Sequence, residues 1–230
     1  MDVLRTGLSY LISKIKKEKF EIDKNIPLSY LIQFLFSRVC ALIYGMISFK
    51  TLAPIYRYGG TIVKCKSKVK LGRNSTIANG CIIDGMSING IISGANCSFG
   101  YNTTMIASGS LQTIGVGIKI GNNVGLGTNG FFGGGGGLEI GDNTIFGNYV
   151  SIHPENHNYS DLNILIRAQG VNRKGIKIGN NCWIGAKVTI LDGSEIGDGC
   201  IIAAGAVIRG EFPDNAIIGG VPAKILKYRN

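Results

Sequence analysis

The stretch that decides the fold is residues 178–208, which read IGNNCWIGAKVTILDGSEIGDGCIIAAGAVI. Isoleucine recurs at every sixth position through it, at residues 178, 184, 190, 196, 202 and 208. A period of six matches neither the 3.6-residue repeat of a helix nor the alternation of an isolated strand. It predicts a coil of three short strands, in which each hexad forms one side and one turn. Every sixth aliphatic side chain then points inward and stacks on its counterpart in the next coil.

The same spacing recurs earlier in the chain, so the coil is predicted to be long. Its aliphatic and aromatic positions there are Leu71, Ile77 and Ile83, then Ile120, Leu126 and Phe132, and then Ile140, Phe146 and Ile152. Residues 71–218 would form roughly eight coils, stacked about 4.8 Å apart. Glycine and asparagine at the corners supply the tight or left-handed backbone conformations of the turns. This accounts for much of the 35 glycines in 230 residues.

The composition changes along the chain and predicts two parts. Residues 1–60 are expected to form a helical segment, with helix-like stretches at 3–19 and 26–49, whereas residues 61–230 are expected to form the β-helix domain. Within that domain the hexads are interrupted at 154–175, and residues 219–230 form a C-terminal tail. The helices and the tail are the pieces available to cap the ends of the coil.

The apolar stretch 26–49 leaves three possibilities open. It is long enough to cross a bilayer, which needs about 20 apolar residues, but Gln33, Ser37 and Arg38 lie near its middle. It could pack on the rest of the protein, dip into a membrane surface or span the membrane. Six basic residues follow it, and such a cluster favours anionic headgroups if a membrane is involved; these are Lys50, Arg57, Lys64, Lys66, Lys68 and Lys70.

The net charge and the cysteine pattern indicate the cellular compartment and limit the classes of binding partner. The net charge is +10, yet the basic residues are not interleaved with aromatic residues and no helix-turn-helix or zinc-finger spacing occurs, so we expect no nucleic-acid partner. The six cysteines include no CxxC pair, which predicts reduced, buried thiols in a reducing compartment. The N-terminal residues lack a secretory signal pattern. We therefore expect a cytoplasmic protein, with the inner face of the cytoplasmic membrane as its possible peripheral contact.

The run from Ile178 to Arg229, with its hexads, the single Trp183 and the closing GGVPAK at 219–224, resembles the hexapeptide-repeat acyltransferases. This family includes galactoside, maltose and polysaccharide O-acetyltransferases. The resemblance implies a mainly β protein, a left-handed parallel β-helix with a helical N-terminal segment. It also implies a homotrimer that binds acetyl-coenzyme A between neighbouring prisms.

Acyl transfer to a hydroxyl needs a base to remove the proton, and histidine is the natural base near neutral pH. Both histidines of the chain lie in SIHPENHNYSD, residues 151–161. By resemblance to the family, His157 is the predicted general base, while His153 is a secondary candidate that could orient the substrate or end a strand. Two histidines cannot build the three-histidine zinc site of the γ-carbonic anhydrases, which share this fold, so we expect no metal.

The resemblance also implies a set of coenzyme A contacts. The backbone amide of Ala186 would bind the thioester carbonyl and stabilise the oxyanion, and Ala204 would meet the pantetheine arm with its backbone. Trp183 would pack at the subunit interface near the pantetheine, or else serve in the core. Three cations match positions at the nucleotide end, where they would face phosphates: Arg209, Lys224 and Lys227.

Two interruptions of the hexads are candidates for the acceptor site. Structureless insertions as long as residues 154–175 are usually functional, and this one would reach over a neighbouring subunit. Its possible acceptor contacts are Asn156, Tyr159, Asp161 and Arg167. The glycine run at 133–137 lacks the Lys and Ser/Thr of a P-loop. The resemblance places an acceptor loop there, but Gly127 and Gly135 occupy the positions matched to sugar contacts, which leaves Asn129 as a candidate.

The sequence therefore favours an acetyl-coenzyme A-dependent O-acetyltransferase. Its expected acceptor is a hydroxyl of a sugar or polysaccharide precursor, such as a capsule, O-antigen or lipid-linked intermediate. The alternative enzymes are an N-acetyltransferase acting on an amino sugar and a serine O-acetyltransferase. A β-helix scaffold without catalysis is the alternative outside enzymes, because the fold alone specifies no chemistry.

Overall fold

The computed structural model describes residues 2–16 and 19–230. Met1, Lys17 and Glu18 lie outside the described residues, and the end of the helical stretch predicted at 3–19 falls partly on them. The chain forms two compact units, one that extends to Ala41 and one that covers Leu42–Asn230.

The first unit contains helix α1, Asp2–Lys16, and most of helix α2, which begins at Leu28. The segment between them folds back along α1. The backbone amide of Phe20 donates to Ser13 Oγ at 2.9 Å, and that of Ile22 donates to Ser9 Oγ at 3.0 Å. Serine side chains on α1 therefore fix the chain that returns from it.

Helix α2, Leu28–Phe49, is the one helix of the described residues that is long and apolar enough to cross a membrane. Only 17% of its most apolar window is buried. Length and composition of this kind are shared with core helices and signal sequences. The helix therefore corresponds to the apolar stretch predicted at 26–49, and its three possible roles stay open.

The second unit is built from short strands, numbered here in chain order. The first eight are β1 Ile55–Arg57, β2 Ile62–Lys64, β3 Val69–Lys70, β4 Ser75–Ile77, β5 Ile82–Asp84, β6 Ile91–Ser93, β7 Ser98–Phe99 and β8 Thr104–Ile106. The next nine are β9 Ile118–Ile120, β10 Gly125–Leu126, β11 Phe131–Gly133, β12 Leu138–Ile140, β13 Ile145–Phe146, β14 Ser151–His153, β15 Asn156–His157, β16 Val171–Asn172 and β17 Ile176–Ile178. The last eight are β18 Trp183–Ile184, β19 Thr189–Leu191, β20 Glu195–Ile196, β21 Ile201–Ile202, β22 Val207–Ile208, β23 Glu211–Phe212, β24 Ala216–Gly220 and β25 Ala223–Tyr228. Two short 3₁₀ turns lie at Lys66–Lys68 and Ile166–Ala168.

These strands form three sheets that share every turn of the coil. Sheet A has the order β1-β4-β7-β10-β13-β18-β21-β24-β25, sheet B the order β2-β5-β8-β11-β14-β19-β22, and sheet C the order β23-β20-β17-β12-β9-β6-β3. All pairs within them are parallel except β24 with β25. The chain passes from A to B to C and back to A, so each coil contributes one strand to each side of a triangular prism.

The core is the stack of inward hexad positions that the sequence predicted. The six isoleucines of 178–208 are each at most 3% exposed. Register places each hexad over the next, for example Phe146 over Ile184 and Ile184 over Ile202. The hexad interpretation is therefore confirmed as the origin of the fold.

The strands begin earlier than the boundary predicted between residues 60 and 61. Strand β1 starts at Ile55, and its Arg57 side chain occupies an inward position with 5% exposure. Arg57 Nε donates to Thr61 Oγ1 at 2.6 Å, and its guanidinium lies 4.6 Å from the centre of the Tyr44 ring. An arginine at a core position hides the first hexad from a search for aliphatic repeats, which is why the sequence placed the start too late.

The cysteines follow the prediction only in part. Four of them lie in the prism core, and burial raises the pKa of Cys81 and Cys182 to about 11, which keeps both thiols protonated. Cys40 is exposed and Cys65 is half-exposed. The expectation that all six are buried is therefore wrong for these two, which lie outside the regular hexads.

Candidate functional site

The three edges of the prism differ, and the difference locates the site. The AB corner joins sheet A to sheet B, the BC corner joins B to C, and the CA corner joins C to A. At the CA corner, asparagine and aspartate side chains accept backbone amides of the coil before, as Asp142 Oδ1 does from Asn122 at 2.7 Å. This corner is a regular structural ladder.

The BC corner is irregular in three consecutive coils. Residues 107–117 leave the prism between β8 and β9, and residues 154–175 leave it between β14 and β17. The coil between these two excursions turns through Gly134–Gly137, whose first two residues are buried. Both long interruptions of the repeat therefore emerge from the same edge, with one coil between them.

His157 lies at the base of the second excursion. Strand β15 pairs antiparallel with β16, with His157 opposite Val171 and Asn156 opposite Asn172. The amide of Asn158 extends this pairing by donating to Gly170 O at 3.0 Å. The His157 side chain is exposed, so a reacting molecule can reach its ring.

A cleft of about 720 Å³ adjoins this hairpin. Its floor comes from the two following coils at the BC corner, which contribute Asp192 and Arg209. The full lining is Asn156–Ser160, Asn172, Lys174, Leu191–Gly193, Arg209 and Gly210. The structure thus brings together four residues that the sequence singled out, namely Asn156, His157, Tyr159 and Arg209.

His153 lies outside this cleft, on the outer face of sheet B. Its Nε2 is 2.6 Å from Ser151 Oγ, and its ring stacks on Phe131 with 5.3 Å between ring centres. Partial burial lowers the pKa of His153. The geometry suits the end of a strand, which is one of the two roles considered for this residue.

The AB corner carries the two predicted alanines. In an earlier coil, Asn148 Oδ1 accepts the amide of Thr128 at 3.0 Å. Register places Ala186 and then Ala204 at the same corner position in the next two coils, and alanine has no side-chain acceptor. In the coils of Ala186 and Ala204, this corner therefore has small side chains in place of the side-chain acceptor that Asn148 supplies.

The outer face of sheet A next to this corner is apolar. Trp183 is 54% exposed and lies beside Ile145, which is 52% exposed, and beside Ile201 in the following coil. Exposed apolar patches of this kind mark surfaces that contact another molecule. The position of Trp183 excludes the core role that the sequence left open for it.

The remaining predicted residues are spread over the surface. Lys224 and Lys227 are exposed on β25, the last strand of sheet A. Asn129 has a positive φ of 55° at the AB corner, and its Oδ1 accepts from Asn102. Arg167 is exposed in the short 3₁₀ turn of the excursion. None of these four lines the cleft beside His157.

Asp161 shapes the excursion itself. Its carboxylate accepts the amide of Asn163 at 2.9 Å, and its own amide donates to Gln169 Oε1 at 3.1 Å. Gln169 Nε2 in turn donates to the carbonyl oxygens of Asp161 and Ile164. Asp161 is therefore engaged in a turn at the tip of the excursion.

The glycine run forms the turn between the two excursions, where the chain passes close to the start of the second one. A Cβ at Gly136 would lie 1.8 Å from Pro154 O, and one at Gly135 would lie 2.6 Å from Glu155 Oε2. At Gly136 only glycine permits this approach of backbone to backbone, whereas at Gly135 the neighbouring atom belongs to the Glu155 side chain. The run is thus next to the His157 hairpin, where it makes room for the start of the excursion.

Sequence reasoning missed three features of this edge: the 107–117 excursion, the Glu155–Arg173 pair and the Asp192 carboxylate. Arg173 Nε donates to Glu155 Oε2 at 2.9 Å, and Arg173 Nη1 donates to Ile114 O at 3.0 Å. The hexad spacing masked any signal of the excursion, because Leu111 follows the core residue Met105 by six residues and yet is fully exposed. The contacts of Arg173 had no signal in the sequence, because they join residues 18 and 59 positions apart.

Comparison with known proteins identifies the repeats. Residues 175–210 match the family model described as bacterial transferase hexapeptide, six repeats. This part of the prism is similar to bacterial transferase hexapeptide repeats. The resemblance inferred from the hexads is confirmed, and the left-handed parallel β-helix is the fold of this hexapeptide prism.

Curated relatives match between 40% and 48% of this chain. A probable acetyltransferase of Mycobacterium tuberculosis is 39% identical over 92 residues, which cover 40% of this chain and 31% of that protein. The putative lipopolysaccharide biosynthesis O-acetyl transferase WbbJ of Escherichia coli is 36% identical over 100 residues, which cover 40% and 51%. A putative acetyltransferase of Staphylococcus aureus is 36% identical over 115 residues, covering 48% and 54%. The matched part thus spans between about a third and about half of these relatives.

Among solved structures, a mutant of AntD, an N-acyltransferase from Bacillus cereus in complex with dTDP and coenzyme A, superposes with a TM-score of 0.55. The alignment covers 77% of this chain and 82% of AntD at 16% identity. At that identity the likeness shows the fold alone. No group of three or more potential metal ligands occurs within residues 2–16 and 19–230.

Proposed function

We propose that this hexapeptide-repeat protein is an acetyl-coenzyme A-dependent O-acetyltransferase that modifies a hydroxyl of a sugar or polysaccharide precursor, with His157 as general base. The observation that carries the proposal is the exposed His157 ring at the edge of a 720 Å³ cleft, on an excursion held by the prism. A cleft of that size accommodates a sugar-sized acceptor. His157 removes the hydroxyl proton as the oxygen attacks the thioester carbonyl, and the sulfur departs as the thiol of coenzyme A.

In this proposal the oxyanion donor and the pantetheine contacts belong to the AB corner, whereas Arg209 lies at the BC corner and meets coenzyme A bound to a neighbouring copy. The Ala186 amide stabilises the oxyanion of the tetrahedral intermediate. Ala204 leaves room for the pantetheine arm, and Trp183 packs beside it. Arg209, Lys224 and Lys227 supply positive charge for the phosphates of coenzyme A.

A second copy of the chain completes this arrangement. Ala186 and Asp192 are one hexad apart, on opposite edges of sheet B, and extended chain rises about 3.3 Å per residue. The two corners are therefore separated by far more than the roughly 3 Å between reacting atoms. The exposed Trp183 and Ile145 offer an apolar face for a neighbouring prism. We accordingly propose a homotrimer with each site shared between copies, which sedimentation equilibrium checks by mass.

Transfer to oxygen rather than nitrogen is supported by the Escherichia coli relative, whose name includes O-acetyl transferase. The AntD likeness does not weigh against it, because that likeness extends to the fold alone. The acceptor residues proposed beside His157 are Asn156 and Tyr159, both in the cleft lining. Asn129, Asp161 and Arg167 contribute only where a neighbouring copy brings them to the site.

The test is acetyl transfer by purified protein, read as release of free coenzyme A and as product mass. The acceptors are neutral sugars, sugar nucleotides, lipid-linked sugars and their amino-sugar counterparts. Replacement His157→Ala is expected to lower kcat by about 10²–10⁴-fold, the usual contribution of a general base. His153→Ala is the matched comparison, because it removes the other histidine of the same excursion base.

Three results would contradict parts of this proposal. Full activity of His157→Ala would exclude it as the base, and loss of activity in His153→Ala alone would transfer that role. Products acetylated only on amino sugars would replace O-transfer by N-transfer. Calorimetry that detects no binding of acetyl-coenzyme A at millimolar concentration would favour the scaffold interpretation.

Membrane contact is a separate part of the proposal. Helix α2 leaves Ile43 and Ile47 exposed, at 54% and 71%. Lysines follow it closely in the second unit, and Lys66 and Lys70 line a cavity of about 600 Å³ together with Lys50. We propose a cytoplasmic location, and we expect the protein to sediment with anionic but not with neutral vesicles. Equal recovery in the supernatant with both kinds of vesicle would exclude this contact.

A further inference from the structure

Asp192 is a buried carboxylate at the BC corner that takes no part in the reaction proposed above. It is only 7% exposed and lies in the coil that follows the 154–175 excursion. Burying a charged side chain costs free energy unless hydrogen bonds or an opposite charge compensate it. The groups that satisfy this carboxylate therefore indicate its role.

All the donors to Asp192 come from the excursion. Asp192 Oδ1 accepts the backbone amides of Lys174 at 2.9 Å and Gly175 at 2.8 Å, and Oδ2 accepts Asn156 Nδ2 at 3.3 Å. Asn156 lies where the excursion departs from the prism, whereas Lys174 and Gly175 lie where it returns. One carboxylate thus joins both ends of the excursion to the coil beneath.

The hairpin that carries His157 depends on such an anchor. Its two strands have two residues each and pair only with each other. An isolated two-stranded hairpin is marginally stable in water, whereas a catalytic side chain has to be held within about 0.5 Å of its productive position. Asn156 is adjacent to His157 in β15, so the bond from Asn156 to Asp192 acts one residue from the base.

A second anchor acts from the other side of the hairpin. Arg173 binds Glu155 in an ion pair of 2.9 Å and also donates to the carbonyl oxygen of Ile114 in the 107–117 excursion. The Arg173 side chain is only 16% exposed. Because this anchor remains when Asp192 is replaced, the hairpin stays attached to the prism and only its position relative to the cleft changes.

We propose that Asp192 is a positioning residue, which sets the His157 ring over the cleft by clamping the base of its hairpin. The inference rests on the proposed function for what His157 does, but the clamp itself is a property of the chain. The donors to Asp192 are two backbone amides and one neutral side-chain amide. The clamp therefore depends on where the acceptor oxygens of Asp192 lie rather than on its charge. This distinction makes the inference testable with conservative variants.

Three variants of the full-length protein test it. Asp192→Ala removes the acceptor and leaves the Lys174 and Gly175 amides without it. Asp192→Asn keeps an acceptor oxygen for those amides, and the Asn156 amide can rotate to pair with the new side-chain nitrogen. The matched control is Asp198→Ala at the CA corner, where Asp198 Oδ1 accepts the Asn180 amide at 2.7 Å, far from the hairpin.

The first readout is steady-state kinetics. Asp192→Ala is expected to lower kcat by about 10- to 100-fold, the cost of a displaced catalytic group, with an unchanged KM for acetyl-coenzyme A. Asp192→Asn is expected to restore most of kcat, and Asp198→Ala to leave it unchanged. Wild-type kcat in Asp192→Ala, or an equal loss in Asp198→Ala, would overturn the inference.

The second readout is amide hydrogen exchange at residues 156–158 and 170–172, which needs no acceptor substrate. Exchange there is expected to accelerate in Asp192→Ala but not in the other two variants. If the wild type acetylates no acceptor, the proposed function fails, while faster exchange in Asp192→Ala alone still supports the clamp. Unchanged exchange in Asp192→Ala would overturn the clamp whatever the activity.

Discussion

The AB and BC corners belong to the same prism, yet they are built in opposite ways. At the AB corner the chain turns between neighbouring strands through a few residues in every coil, and successive coils repeat the same geometry. At the BC corner three consecutive coils differ, with one excursion of residues 107–117, one tight glycine turn and one excursion of residues 154–175. Both corners nonetheless flank sheet B, whose register continues without a break.

The difference shows what a hexapeptide repeat can and cannot provide. Within a hexad, the inward position fills the core and the corner positions form the turn, so a regular corner presents mainly backbone groups and small side chains. That suits contact with an extended, uniform ligand arm. Side-chain chemistry such as proton transfer needs a residue outside the regular repeat, and His157 at the BC corner is the residue that we propose for it.

The largest effect on stability is expected at the glycine turn of the BC corner. Replacement Gly136→Ala would place a Cβ 1.8 Å from Pro154 O, a backbone atom that cannot move without shifting the excursion. We expect a loss of about 3 kcal/mol in the free energy of unfolding, at the upper end of the usual cost of overpacking. Urea denaturation at fixed protein concentration measures it.

The matched variant at the AB corner is Gly205→Ala. A Cβ there meets no atom within 4 Å, and the only cost comes from the positive φ of 73°. We expect about 1 kcal/mol from this left-handed conformation. Equal losses in the two variants would mean that the BC corner is no more tightly packed than its regular neighbour.

A smaller effect, on binding rather than folding, is expected at Ala204. Replacement Ala204→Leu at this exposed position adds volume where the pantetheine arm is proposed to lie. We expect the KM for acetyl-coenzyme A to rise about tenfold, equivalent to about 1.4 kcal/mol, with little change in stability. Thr128→Leu, at the same corner position in an earlier coil, is the control for added bulk. A rise in KM of the same size in both variants would remove Ala204 from the groove.

The smallest effect concerns the CA corner and appears only at acidic pH. Hydrogen bonds from the Asn180 backbone amide and then from its side chain lower the pKa of Asp198 in the folded protein. Its contribution to stability is therefore complete above the unfolded pKa, near 3.9, and is lost as the pH falls through the folded value. The wild type should accordingly lose more stability than Asp198→Asn as the pH falls from about 5 to about 2.

Thermal unfolding over that pH range compares the two proteins. The difference is expected to be small because Asp198 is exposed to solvent, which screens such interactions. Parallel acid dependence of the wild type and Asp198→Asn would show that the charge of Asp198 does not contribute to the stability of this corner.

The regular part of this molecule could be predicted because a repeat with a fixed period is visible in the sequence itself. Isoleucines six residues apart can be recognised without knowledge of the fold. The resemblance to the family indicated Ala186 and Ala204, which the structure places at the AB corner. The BC corner could be predicted only in outline. His157 and the 154–175 segment were visible as a histidine in a break of the repeat.

The supports of that corner could not be predicted, because they depend on which coils are stacked on one another. Asp192 looks like a solvated turn residue in ILDGSE, and only the coil above it supplies the amides that it binds. Arg173 likewise finds Ile114 across the intervening glycine turn. Such contacts follow from the number of residues per coil, which excursions change.

The two ends of the prism bear on whether the particle can polymerise. Stacked parallel strands with open edges are a template for addition of further strands from another molecule. At one end the first coil places the Arg57 guanidinium inside the triangle, where it is hydrogen-bonded to Thr61. At the other end β25 reverses direction and presents Lys224 and Lys227. Because Arg57 is only 5% exposed and Tyr44 of α2 lies against its guanidinium, a prism added at the first end would meet residues of α2. At the other end it would meet an antiparallel strand with two lysines, and these features favour a particle of finite length over a fibre.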